Sequence, residues 1–214
     1  MSPLTYLERP AAGEAEGLLV LHHGRGTDER DLLPLADALD PERLLRVVTA
    51  RAPLQLPGSP GFHWYLVPRV GYPDPDTFFA ARAALAELHD RLWEEAGVGP
   101  EQTVLGGFSM GTAMSYAMAL GEERPAVAGI LAFSGFVPTV EGWRPSPADR
   151  QGTRVFVSHG RNDPVIEVGF ARRARELLEE GGLEVDYHES ELGHQIEPRH
   201  LPLASAWLAE ALSR

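Results

Sequence analysis

A serine flanked by glycines is the strongest chemical signal in this sequence. Residues 107–111 read Gly-Phe-Ser-Met-Gly, which is the G-x-S-x-G pattern of a nucleophile elbow. The apolar segment Thr103–Gly106 predicts a strand before it, and the segment from Met110 predicts a helix after it. Such a turn lifts a hydroxyl clear of the sheet, and glycines two positions away leave room for it. Ser109 is therefore predicted to be a nucleophile, against the alternative of an ordinary glycine-rich turn.

A serine nucleophile needs a base and an acid that orients the base, and candidates for both follow it in the chain. Asp163 follows the predicted strand Arg154–Ser158, and His194 lies in the loop after the predicted strand Leu183–Tyr187. The carboxyl ends of parallel strands share one edge of a sheet, so Ser109, Asp163 and His194 are expected to meet there. Competing candidates occupy weaker positions: His159, His188 and His200 for the base, and Glu167 and Asp186 for the acid.

The oxygen that becomes negative during such an attack needs N–H donors. One donor is the backbone N–H of the residue after the nucleophile, Met110. A second is expected from an early loop, and residues 22–29 follow a predicted strand with glycines that permit close approach. A dinucleotide-binding G-x-G-x-x-G motif is incomplete there, because Glu29 stands at the third glycine position. The histidines lack the spacing of zinc motifs, so we predict no metal site and no cofactor.

The elements that must position these residues alternate along the chain. The predicted strands are Gly17–Leu21, Leu44–Thr49, Thr103–Gly106, Val127–Phe133, Arg154–Ser158 and Leu183–Tyr187. The predicted helices are Asp31–Leu39, Thr77–Ala96, Met110–Leu120, Val165–Leu178 and His200–Leu212. Short apolar strands between amphipathic helices predict an α/β fold, a mostly parallel sheet with helices on both faces. The length of 214 residues predicts a single domain over residues 1–214.

Two stretches rich in proline and aromatic residues, Arg51–Asp76 and Gly135–Gly152, interrupt this alternation. Long ordered loops often bind ligands, and the alternative is a surface connection whose aromatic residues fill the edge of the core. Five of their residues are candidates for an apolar pocket beside the serine: Phe62, Trp64, Tyr65, Phe136 and Val137. We expect such a pocket to admit small or aromatic molecules.

Composition excludes several classes of function. The net charge of −12 disfavours nucleic-acid and anionic-membrane partners. The absence of cysteine excludes disulfides and a thiolate nucleophile, and the absence of lysine excludes a P-loop lysine or a Schiff base. Residues 1–10 lack the pattern of an export signal, and no apolar run is long enough to span a bilayer. We therefore expect a cytoplasmic protein without stable membrane insertion.

Five motifs together resemble the phospholipase/carboxylesterase family of α/β-hydrolases. They are HHGRGTDE at residues 22–29, GFSMG at 107–111, FSGFVP at 133–138, HGRNDPV at 159–165 and LGHQI at 192–196. The resemblance implies an α/β-hydrolase fold without a large lid domain and a serine carboxylesterase with Ser109, Asp163 and His194 as catalytic triad. It also implies backbone N–H groups of Arg25 and Met110 as oxyanion donors. Proteins of this family are often dimers, which leaves a homodimer as one expected form.

The sequence departs from one branch of that family. Acyl-protein thioesterases typically have an apolar residue where Arg25 stands and glutamine where Met110 stands, so the chain is more similar to the bacterial esterase branch. Besides a carboxylesterase, two functions stay open. One is a lysophospholipase or acyl thioesterase on the same triad, and the other is a non-catalytic binding protein with the hydrolase fold.

Overall fold

A mostly parallel sheet is the centre of the fold in the computed structural model, which describes residues 3–213. The strands in this range are β1 Tyr6–Arg9, β2 Gly17–His22, β3 Leu45–Ala50, β4 Leu54–Gln55, β5 Phe62–His63, β6 Thr103–Phe108, β7 Gly129–Phe133, β8 Arg154–Gly160 and β9 Glu184–Ser190. Seven of these described strands form one sheet in the order β1-β3-β2-β6-β7-β8-β9, and β4 pairs with β5. Strand β1 is antiparallel to β3, whereas the other pairs of the large sheet are parallel.

Helices cover both faces of this sheet. They are α1 Leu35–Leu39, α2 Pro75–Ala96, α3 Met110–Ala119, α4 Val168–Glu180 and α5 Leu201–Leu212. Buried side chains of α2, α3 and α4 share one apolar cluster with the sheet, and those of α1 and α5 share a second. The predicted α/β-hydrolase architecture is thus confirmed. No helix within residues 3–213 has the length and apolar character needed to cross a lipid bilayer.

Two elements at the start of the chain differ from the prediction. Strand β1 was not predicted, because its four residues are two apolar ones followed by two charged ones. This short segment pairs antiparallel at an edge and has neither the apolar run of a central strand nor a regular alternation. The first helix begins at Leu35 rather than Asp31. Pro34 lacks an N–H group and fixes the start of the helix, and the N–H of Leu35 donates to the carbonyl of Leu32 in a turn.

Two uncharged histidines lie side by side in the core. His22 on β2 and His89 on α2 are 0% and 1% exposed, and their ring centroids are 5.6 Å apart. Burial lowers the pKa of His89 to about 3, with a smaller repulsion from Arg124. Burial also holds the pKa of His22 well below its ordinary value, and the neighbouring His89 adds to this effect. Both side chains are therefore neutral at neutral pH.

This pair should make the fold sensitive to acid. The unfolded chain binds protons at histidine near pH 6.5, whereas folded His89 binds one only near pH 3, so the unfolded state carries more protons between these values. The free energy of unfolding should therefore fall as pH drops from about 6.5, by up to about 1.4 kcal/mol per unit for each such histidine. Urea unfolding at several pH values measures this dependence. In His89→Leu, the free energy of unfolding should decline less steeply with falling pH than in the wild-type protein. Equal slopes would contradict this explanation.

Candidate active site

The turn between β6 and α3 holds Ser109 in an uncommon backbone conformation. Its φ of 57° and ψ of −118° place a residue with a side chain in the left-handed half of conformational space, at a cost of order 1–3 kcal/mol. A Cβ on Gly107 would lie 2.5 Å from the backbone of Gly111, and one on Gly111 would lie 1.8 Å from the carbonyl oxygen of His22. Both glycines are therefore required sterically, which accounts for the G-x-S-x-G pattern.

Three side chains from three loops form a chain of hydrogen bonds at the carboxyl edge of the sheet. Nδ1 of His194 lies 2.7 Å from Oδ2 of Asp163, and Nε2 of His194 lies 2.8 Å from Oγ of Ser109. A carboxylate only accepts, so Nδ1–H is the donor to Asp163. In a neutral imidazole, Nε2 then carries no proton and accepts the bond from the serine hydroxyl. This geometry allows the hydroxyl of Ser109 to pass its proton to Nε2 of His194.

Backbone hydrogen bonds hold the carboxylate of Asp163 in place. Its carboxylate is fully buried, and Oδ1 accepts hydrogen bonds from the backbone N–H groups of Val165 at 2.8 Å and Ile166 at 2.9 Å. These bonds hold the two residues outside the helix, so α4 begins at Val168 rather than at the predicted Val165. The second oxygen is thereby left to face His194.

His159, a competing candidate for the base, also lies close to this carboxylate. Its ring is 1% exposed, and its Nε2 donates to the carbonyl of Ile166 at 2.8 Å and lies 3.5 Å from Oδ2 of Asp163. Burial lowers its pKa, although the hydrogen bond to Ile166 and the charge of Asp163 oppose this. His159 is therefore a buried neutral neighbour of the carboxylate, and its hydrogen bond goes to Ile166 and not to Ser109.

The remaining competitors for the base and the acid lie away from Ser109. The rings of His188 and His200 are 5.2 Å apart, and His188 packs on Phe156 in the neighbourhood of α5. Glu167 precedes α4 as its N-cap residue, and Asp186 lies within β9. Among residues 3–213, no group of three or more histidine, aspartate or glutamate side chains is arranged to hold a metal ion.

Phe108, which no sequence motif indicates, contacts the imidazole of His194. The ring centroids are 4.9 Å apart and the planes are inclined at 39°. The loop that carries His194 is also tied to the end of β7, where the hydroxyl of Ser134 lies 3.3 Å from the carbonyl of Gln195. Phe108 stands in the x position of G-x-S-x-G, where the motif prescribes no residue type, so the sequence carries no signal for its contact with the base.

The predicted oxyanion donors lie on the same cavity as Ser109. Met110 begins α3, so its N–H belongs to the first turn, where helical N–H groups have no partner within the helix. Arg25 lies in the loop after β2, which is fixed because the N–H of Gly26 donates to the carbonyl of Phe62 at 2.8 Å. Both residues line the cavity beside the serine. The side chain of Met110 is folded back, and its sulfur accepts from the N–H of Trp64.

His23 holds the loop that carries Arg25. Its Nδ1 lies 2.7 Å from the carbonyl oxygen of Gly24 and donates to it, and its Nε2 accepts from the N–H of Ala52 at 3.0 Å. Burial lowers the pKa of His23, which keeps this neutral pairing. The His-His pair of the sequence is thus a structural feature of β2 and its loop.

A cavity of about 270 Å³ opens beside Ser109. Its lining residues are Arg25, Tyr65, Val67, Arg69, Val70, Gly71, Ser109, Met110, Phe136, Val165 and Ile166. Tyr65 and Phe136 were predicted to line it and do so. The valines, Arg69 and Ile166 were missed, because single valines and arginines in a loop carry no signal that distinguishes a pocket from a surface.

Three of the predicted pocket residues are not among those that line this cavity. Trp64 is 0% exposed, and its indole N–H donates to the carbonyl of His23, so its large apolar surface is used in the core. Phe62 lies against a different cavity, under the guanidinium of Arg51 at 4.7 Å. Val137 lines a third cavity, beyond the one beside the serine. Trp64 thus fills the edge of the core, as the competing interpretation of these loops predicts.

Comparisons with known proteins identify a family. The profile of a family described as Phospholipase/Carboxylesterase matches residues 9–212. Acyl-protein thioesterase 1 of Gibberella zeae is 32% identical over 132 residues, which cover 58% of this chain and 55% of that protein. The chain thus spans about half the length of this curated relative.

Solved structures resemble the fold over nearly its whole length. A crystal structure of esterase PE8 shares 30% identity at a TM-score of 0.79, covering 98% of this chain and 99% of that one. The Bacillus cereus carboxylesterase superposes with a TM-score of 0.85 at 24% identity, covering 98% and 95% of the two chains. At 24% identity, the similarity to the Bacillus cereus carboxylesterase shows a shared fold and nothing more.

Proposed function

Since this chain belongs to the phospholipase/carboxylesterase family, we propose that it is a serine hydrolase that cleaves small or aromatic carboxylic esters through an acyl-enzyme. The observation that carries the proposal is the chain of hydrogen bonds from Ser109 through His194 to Asp163. A hydroxyl is a weak nucleophile unless a base takes its proton, and Nε2 of His194 lies at 2.8 Å, where it can act as that base.

In the first half of the reaction, Oγ of Ser109 attacks the ester carbonyl while its proton passes to Nε2 of His194. The carboxylate of Asp163 stabilises the imidazolium and keeps the ring oriented. The carbonyl oxygen becomes negative, and backbone N–H groups of Arg25 and Met110 stabilise it. The C–O bond to the alcohol then breaks, and His194 returns its proton to the leaving oxygen.

In the second half, water takes the place of the alcohol. His194 accepts a proton from water as the water oxygen attacks the acyl carbon, and the bond to Ser109 breaks with return of that proton to Oγ. The products are a carboxylic acid and the original enzyme. These steps use the chain's own residues and water, so we propose that no cofactor takes part.

The size of the cavity supports small substrates. Ligand sites commonly measure about 300–1,000 Å³, and the cavity of about 270 Å³ beside Ser109 lies just below that range. The cavity has an apolar lining suited to a short acyl chain or one aromatic ring, formed by Tyr65, Val67, Val70, Phe136 and Ile166.

We also propose that residues 1–214 form one domain, since both apolar clusters pack on the same sheet.

Thioester cleavage is the second candidate. Two similar proteins, from Gibberella zeae and Neurospora crassa, are named acyl-protein thioesterase 1. A thioester carbonyl accepts the same attack, and the same proton transfer then serves a thiol as leaving group. The small cavity favours the ester over a thioester with a long acyl chain.

The test combines labelling with turnover. A fluorophosphonate probe should add to the protein once, as seen by intact mass, and 4-nitrophenyl esters should be hydrolysed fastest for acyl chains of two to four carbons. Rates on an acyl thioester and a lysophospholipid, measured alongside, separate the other activities of this family. A folded protein with neither adduct nor turnover would overturn the proposal and favour a binding protein.

A further inference from the structure

The cavity beside Ser109 is unusual in its charge. Two of its lining residues, Arg25 and Arg69, carry guanidinium groups, and none of the described residues that line it carries a carboxylate. The chain as a whole has a net charge of −12. A cationic cavity in an acidic protein is the reverse of what its average composition would produce.

Neither arginine forms an ion pair with an acidic side chain among the residues that the structure describes. Most arginines of this chain have an acidic partner, as Arg51 does with Glu29 at 2.6 Å and Arg161 with Glu189 at 2.7 Å. For Arg25 and Arg69, no aspartate or glutamate within residues 3–213 lies at ion-pair distance. Arg25 and Arg69 are both exposed, so the N–H groups of their guanidinium groups are available to a ligand. A guanidinium binds carboxylates and phosphates through charge-assisted hydrogen bonds.

Local structure holds both groups near the cavity. The guanidinium of Arg69 stacks 3.5 Å from the centroid of the Tyr72 ring, across a turn closed by the hydrogen bond from the N–H of Tyr72 to the carbonyl of Arg69. That turn is tied to the loop after β7, because the N–H of Thr139 donates to the carbonyl of Gly71 at 2.9 Å. Arg25 lies on the fixed loop after β2. A ligand therefore meets donors whose backbone is already ordered.

We propose that the substrates of this site are anionic esters, in which a short apolar part packs against the valines and a negative group binds Arg25 and Arg69. This inference rests on the proposed hydrolysis of esters at Ser109. It narrows the substrate class from small esters in general to half-esters of dicarboxylic acids or esters with a similar terminal anion. The small volume requires the charge to lie within a few carbons of the scissile carbonyl.

Two esters of equal length test this. Mono-4-nitrophenyl adipate and 4-nitrophenyl hexanoate share the leaving group and a six-carbon acyl chain, and differ in a terminal carboxylate. After subtraction of spontaneous hydrolysis, kcat/KM should be higher for the adipate, and 0.5 M NaCl should reduce that preference. Arg25→Gln and Arg69→Gln should each lower the ratio of the two constants about fivefold, and the double variant about 20-fold. The two esters differ in intrinsic reactivity, but this difference is the same for every variant. It therefore cancels when the adipate-to-hexanoate ratio of a variant is compared with that of the wild-type protein.

Arg144 provides the matched control. It is an exposed arginine beside Pro145, which bridges to Gly121 just past the far end of the ten-residue helix α3, about 15 Å along the axis from the serine. Arg144→Gln should leave the ratio unchanged. A wild-type preference for the hexanoate, or ratios that do not move in the two variants, would overturn the inference.

A binding measurement separates this inference from the proposed function. Monomethyl adipate should bind Ser109→Ala protein in calorimetry, and binding should weaken about fivefold when Arg25→Gln or Arg69→Gln is added. Equal affinity in all three proteins would overturn the anionic site even if esters are hydrolysed. If fluorophosphonate labelling and turnover fail while this binding is lost in the arginine variants, the proposed hydrolysis is wrong and the anionic site stands.

Discussion

Ser109→Ala should abolish both ester hydrolysis and the fluorophosphonate adduct, with kcat lower by at least about 10⁴-fold. The substitution removes Oγ of Ser109, which lies 2.8 Å from Nε2 of His194, so no group remains to form the acyl-enzyme. The backbone strain at φ 57° is the same for alanine as for serine, so the fold should persist. Intact mass and hydrolysis of 4-nitrophenyl butyrate measure the two losses.

Ser134 supplies the matched control for this loss. It also has a positive φ, 48°, and it follows β7 as Ser109 follows β6. Its hydroxyl donates to the carbonyl of Gln195, and a carbonyl is too weak a base to take up the serine proton. Ser134→Ala should therefore still take up one fluorophosphonate. Labelling that disappears from Ser134→Ala and survives in Ser109→Ala would exchange the roles of the two serines.

The order of strands explains why the proximity of three residues far apart in the chain is predictable from the sequence. Strands β6, β8 and β9 run in the same direction, so all three end at one edge of the sheet. Ser109, Asp163 and His194 follow these three strands, so their proximity is a consequence of topology. The strand pattern does not specify the positioning that brings Nε2 to 2.8 Å from Oγ, because this depends on contacts such as that of Phe108 with the imidazole.

The cavity was predictable only in part, because it is built from segments that are remote in sequence. Residues 65–71, Phe136 and residues 165–166 converge there through loops without repeating patterns. Aromatic character suggested Trp64 as a lining residue, yet the largest apolar side chain gains most from full burial and lies in the core. The charge of the cavity depends on which arginines lack an acidic neighbour in space, and composition gives only the net value.

Asp163→Asn should lower kcat by about 10⁴-fold while the protein remains folded. The amide oxygen can still accept the N–H groups of Val165 and Ile166, which fix its orientation. The amide NH₂ then faces Nδ1 of His194, in place of the carboxylate oxygen at 2.7 Å. A donor at this position favours the tautomer with the proton on Nε2. In that tautomer, Nε2 cannot accept the proton of Ser109.

The ring of His194 reports this change directly. Nitrogen-15 NMR of the imidazole should show the proton on Nδ1 in the wild-type protein and on Nε2 in Asp163→Asn, at a pH where the ring is neutral. Asp186→Asn, at a competing candidate for the acid, should alter neither the tautomer nor kcat, because Asp186 lies within β9. If Asp163→Asn kept the wild-type tautomer and still lost activity, Asp163 would act through its negative charge on the imidazolium and not by orienting the ring. If activity were retained, Asp163 would have a structural role at the start of α4, and the base at Ser109 would function without it.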